Sequence, residues 1–97
     1  MIIVHETYIC KPGNASKLAK LFREIMTGYK EFVHVMTDVT GDFNKVVLVS
    51  QYDSLVAYEQ SWDEYMKDEK AMQVMKEKME GYTEMYQTGS REIFRVW

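Results

Sequence analysis

Ninety-seven residues support one hydrophobic core, and therefore one domain spanning 1–97. Twelve basic against fifteen acidic residues leave a net charge of −3, which gives no concentrated positive surface for nucleic acid. An apolar share of 46% excludes a disordered chain, and no apolar stretch reaches the roughly 18 residues that span a bilayer.

Ile2 to Cys10 alternates and is rich in β-branched and aromatic residues, which predicts a first strand. Lys11-Pro12-Gly13-Asn14 breaks it, and Asn14 is placed to cap a helix from Ala15 to about Thr27. Leu18, Leu21, Phe22 and Ile25 recur there at helical spacing, and Gly28 stands where the helix ends. Phe32 to Thr40 and Lys45 to Tyr52 read as two further strands. The link between them, Gly41-Asp42-Phe43-Asn44, is too short for a crossover, so they form an antiparallel hairpin.

Ser54 is the expected N-cap of a second helix carrying Leu55, Tyr58, Trp62, Tyr65 and Met66 on one face. Lys67-Asp68-Glu69 interrupts that stripe, which predicts a break near Asp68. A short third helix follows to about Glu80, with Ala71, Met72, Met75 and Met79 on its inner side and Gly81 closing it. Tyr82 to Thr88 is expected to be extended at a sheet edge. Gly89-Ser90 then reads as a turn into the last strand, Arg91 to Trp97.

This order is the α+β, ferredoxin-like β-α-β-β-α-β pattern: a four-stranded antiparallel sheet with helices on one face. A sheet with its other face in water should alternate cleanly. Here Val46, Val47, Leu48 and Val49 are consecutive, as are Ile2, Ile3 and Val4. In the second strand Val33, Val35 and Val39 lie on one face, with Phe32 and Met36 on the other. Both faces are therefore apolar. With no spare helix in the chain, the expected cover is a second copy, giving a homodimer through the sheet faces.

Three segments resemble those of the dimeric α/β-barrel proteins, in particular small antibiotic-biosynthesis-monooxygenase-like and NIPSNAP-like domains. They are Thr40-Gly41-Asp42-Phe43-Asn44, Tyr52-Asp53-Ser54-Leu55-Val56-Ala57-Tyr58-Glu59, and Gly89-Ser90-Arg91-Glu92-Ile93-Phe94-Arg95. The resemblance implies two sheets facing each other across a dimer, and a small pocket in each monomer between its own sheet and helices. Haem-degrading members of the group carry a ligating histidine on the second helical region, a tryptophan before it and an asparagine on the first strand. Here no histidine lies between Trp62 and Met79, and the first strand has no asparagine. The resemblance therefore does not extend to haem cleavage.

Trp62, flanked one turn away by Tyr58 and Tyr65, is either a helix-to-sheet anchor or the wall of a pocket for a flat ligand. Met75 belongs to a methionine stripe that either packs on the sheet or forms an adaptable lid. His5 and His34 are the only histidines and hence the candidate general bases. Neither belongs to a cluster with metal-ligand spacing, so no metal and no cofactor is expected. Asp63 and Lys67 are spaced for a helical ion pair. Arg91 and Arg95 share a strand face, suited to an anion or to ion pairs with Glu6 or Glu92. Cys10 is alone and cannot form an internal disulfide. Met1 to Glu6 lacks a basic leader and a long apolar run, so a cytoplasmic location is expected.

Two functions follow as expectations. One is a homodimeric domain binding a small apolar or aromatic molecule between sheet and helices. The other is a cofactor-independent monooxygenase-like or isomerase-like enzyme with a histidine base beside Trp62.

Overall fold

In the computed structural model, which describes all 97 residues, period-two alternation and helical stripes form the expected elements in the expected order. These are β1 (Ile2–Cys10), α1 (Ala15–Met26), β2 (Phe32–Thr37), β3 (Lys45–Tyr52), α2 (Leu55–Lys67), α3 (Glu69–Lys78) and β4 (Tyr86–Arg95). A single turn of 3₁₀ helix, Tyr82–Glu84, precedes β4. The sheet is antiparallel with strand order β2-β3-β1-β4, the ferredoxin-like arrangement. No helix is long and apolar enough to cross a membrane.

Residues directly opposite one another in an antiparallel pair share a face, so the register sorts every strand residue. Val46 and Leu48 join Cys10, Leu18 and Phe22 in one buried cluster, which identifies the even-numbered face of β1 as the helix side. Glu6, Tyr8, Leu48, Arg91 and Ile93 all lie on that side. Ile3, His5, Thr7, Val47, Val49, Glu92 and Phe94 lie on the open side.

Only α1 is seated firmly. Its Leu18, Phe22 and Ile25 are buried, whereas α2 and α3 bury no residue completely. Beyond Tyr86, β4 is exposed along its whole length, so its helix side opens toward α2.

Caps and breaks follow local chemistry with one exception. The Ala57 N–H donates to Ser54 Oγ at 3.1 Å, and the Ala71 N–H donates to Asp68 Oδ1 at 3.0 Å, starting α2 and α3. Asn14 departs from its expected role: its side chain makes no cap and instead donates to the Pro12 carbonyl at 3.4 Å. Gly81 sits at φ +80°, a left-handed conformation that suits the chain reversal after α3.

Three strand expectations are corrected. β2 ends at Thr37 and not at Thr40, because Asp38 Oδ1 accepts the Lys45 N–H at 2.8 Å and closes the ladder there. A bulge between Phe32 and His34 shifts the alternation of β2, so Phe32 and Val35 share the helix side while His34 and Met36 share the open side. Gly89-Ser90 is not a turn: both residues pair within β4, opposite Tyr8 and Thr7. A side chain on Gly89 would meet the Tyr8 ring in ordinary van der Waals contact at 3.5 Å, so the pairing, and not crowding, holds this residue in the strand.

Leu18 is fully buried where α1 meets the sheet, whereas Val39 is 96% exposed beyond the end of β2. Leu18→Ala is expected to lower stability by about 2–5 kcal/mol, and Val39→Ala by less than about 0.5 kcal/mol, in urea denaturation.

Candidate polar and aromatic site on the helix side of the sheet

The register of β1 and β4 places Glu6 directly opposite Arg91 on the helix side. Their side chains meet, with Arg91 Nη2 donating to Glu6 Oε2 at 3.2 Å. Tyr8 follows two residues later on the same face, and its hydroxyl donates to the same oxygen at 3.3 Å. Glu6 thus holds a guanidinium and a phenol together.

Across from this group, α2 presents its aromatic stripe. Trp62 lies with the Arg91 guanidinium carbon 5.6 Å from its ring centroid, within cation–π range. Tyr58 and Tyr65, one turn to either side, meet Trp62 edge-on at 6.5 and 6.1 Å. Tyr52 of β3 continues the row against Tyr58 at 5.1 Å. Trp62 remains 41% exposed, so it is no buried anchor. The Tyr58 Oη is buried, yet no protein group hydrogen-bonds to it.

Burial, followed by the negative charge of Glu6 and its hydrogen bond, pushes the Tyr8 phenol well above the ordinary tyrosine value. Burial works against the charge of Arg91, but Glu6 outweighs it and holds the guanidinium pKa above its usual value. Burial alone raises the Cys10 thiol, which fits a packed small residue better than a nucleophile.

The expected candidates are distributed over three places. Trp62 and Tyr58 belong to this site. Met75 lines a separate cavity of about 270 Å³ with Ile25, Tyr29 and Val74. His5 and His34 both lie in register with Val49 and so occupy the open face, where His5 packs edge-on against Phe94 at 5.2 Å. The sheet therefore stands between each histidine and Trp62, and a histidine base beside Trp62 is not assembled within one chain.

Asp63 and Lys67 do not pair; the ion pairs are Arg91–Glu6 and Lys45–Asp42. No group of three or more His, Cys, Asp or Glu residues is arranged to hold a metal ion. Sequence reasoning placed Glu6 only as a possible partner of Arg91 and missed Tyr8 as a site residue. Their convergence is a matter of cross-strand register, which spacing along one strand does not reveal.

An antiparallel ferredoxin-like sheet with a polar and aromatic site under its second helix defines the broad class. Similar solved structures include an uncharacterized NIPSNAP domain protein from Burkholderia xenovorans, at 16% identity and a TM-score of 0.78. It aligns over 100% of this chain and 95% of that one. A NIPSNAP family protein from Agrobacterium tumefaciens matches at 15% identity and a TM-score of 0.73, over 97% and 90% of the two chains. An antibiotic biosynthesis monooxygenase matches at 14% identity and a TM-score of 0.63, over 100% and 99%. At these identities the likeness is one of fold. No curated protein matches the chain. The NIPSNAP family model matches residues 5–90, and the chain belongs to the NIPSNAP family.

Because the folded state holds the Tyr8 proton more tightly than the unfolded chain does, the unfolded chain ionises first as pH rises past about 10. Stability contributed at this position is therefore present below that pH and lost above it. The urea midpoint is expected to fall between pH 9 and about 11, and to fall less steeply in Tyr8→Phe.

Proposed function

We propose that the chain works as a homodimer that binds a small apolar or aromatic molecule on the helix side of each sheet, beside Trp62 and Tyr58. The observation that carries the reading is the buried Tyr58 hydroxyl without a protein partner, set in an aromatic row next to a half-exposed guanidinium. A buried polar atom left unpaired is costly, and a bound molecule that reaches it removes that cost.

The dimer rests on the other face. Ile3, Val47, Met36 and Phe94 lie there with no helix above them, and Met36 and Phe94 are 40% and 46% exposed. Four strands about 4.8 Å apart and roughly 25–30 Å long present on the order of 500 Å² in projection. With side-chain relief this approaches the roughly 800 Å² per partner of a standard interface. A second copy supplies the same apolar pattern in return. Partners on this reading are a second copy and a small organic molecule; nucleic acid and membrane are not among them, and the location is cytoplasmic.

The oxygenase or isomerase reading lacks its base, since both histidines fall on the face assigned to the partner. The functional surface is thus the slot between β4 and α2.

Native mass spectrometry of protein purified from its source tests both halves. The expected spectrum is a dimer carrying additional small-molecule mass. A monomer at micromolar concentration would sink the dimer, and a dimer of bare chain mass that also takes up no apolar aromatic probe would sink the binding role. Phe94→Asp on the open face is expected to yield a folded monomer, seen as a halved mass in light scattering.

A further inference from the structure

Beside Trp62 stand two hydrogen-bond donors that the protein does not use up. One is the buried Tyr58 hydroxyl. The other is Arg91, whose guanidinium carries five N–H groups and gives one of them to Glu6. Both flank the same indole, Tyr58 at 6.5 Å ring to ring and Arg91 at 5.6 Å. Tyr58 is also near enough to influence the ionisation of Arg91.

Glu6 orients Arg91 through one hydrogen bond, and Tyr8 in turn fixes the same Glu6 oxygen. The guanidinium is preorganised, with a side chain still 47% exposed to an incoming molecule. Ile93 lies two residues further along β4 on the same face, 41% exposed, and supplies an apolar floor.

Resting on the binding role proposed above, we infer that the bound molecule is an organic monoanion. It is a planar aromatic or unsaturated carboxylate whose charged end accepts hydrogen bonds from Arg91 and Tyr58 while its ring lies against Trp62 and Ile93. A neutral hydrocarbon would leave both donors desolvated and unpaired. A dianion such as a phosphate ester would crowd a second negative charge against Glu6. One carboxylate satisfies both donors with one charge. Arginine suits it because its planar fork matches a carboxylate.

The experiment uses the 97-residue chain with Trp97→Phe, leaving Trp62 as the sole tryptophan. Its fluorescence is titrated with trans-cinnamate and separately with the neutral isostere cinnamamide. The carboxylate is expected to quench Trp62 saturably and to bind at least about tenfold more tightly than the amide, as charge-assisted hydrogen bonds imply. Arg91→Met is expected to erase that preference. Tyr58→Phe is expected to reduce it about three- to tenfold, and serves if the arginine variant does not fold.

Equal binding of acid and amide, or a preference that survives both substitutions, overturns the anion inference and leaves apolar binding standing. Binding of neither compound up to millimolar concentration overturns both. Tighter binding of phenyl phosphate than of cinnamate also overturns the monoanion inference.

Discussion

The antiparallel pairing of β1 with β3 on one side and β4 on the other is the constraint on which the rest of this molecule depends. Each β1 residue is committed to a face by two ladders at once, so a slip of one residue would exchange the faces of the whole strand. In the observed register Val4 and Cys10 enter the core and Ile3 and His5 do not. The same register sets Glu6 against Arg91 and separates the histidines from the helices.

The two ends of the helix side are used differently. Under α1 the packing is close, and Leu18, Phe22, Val46 and Leu48 form a buried cluster with Cys10. Under α2 it is not: no residue of that helix is fully buried, and β4 keeps its helix side accessible. The contacts there are edge-to-face aromatic pairs, a cation–π pair and one partly exposed ion pair. Such contacts contribute less to stability than close apolar packing, and an exposed ion pair is worth little. Their arrangement serves orientation more than rigidity.

The likeness to the solved structures, NIPSNAP proteins and an antibiotic biosynthesis monooxygenase alike, is a likeness of backbone. A fold of this kind hosts many chemistries, so activity must be argued from side chains. Here the side chains supply hydrogen-bond donors and aromatic walls on one side of the sheet, with imidazoles on the other. That distribution supports recognition of a small molecule more directly than it supports proton abstraction.

The sequence by itself determined the element order, the break at Asp68 and the cap at Ser54, because helical and strand periods and cap chemistry act within a few residues. It also marked Trp62 and Tyr58 as neighbours one turn apart. It misread Gly89-Ser90 as a turn, since the pair is a turn signal locally while the pairing with Tyr8 and Thr7 that keeps both in β4 comes from a distant strand. It could not detect the bulge in β2, where one extra residue moves Val35 and Met36 to faces opposite those that simple alternation gives. Only the tertiary structure decided that Glu6 joins Tyr8 to Arg91 and that Arg91 lies against Trp62, that Met75 lines a different cavity, and that His5 and His34 lie beyond the sheet. Those are relations between residues distant in the chain, fixed by strand register and by how loosely α2 sits on the sheet, and neither leaves a periodic trace in one strand or one helix.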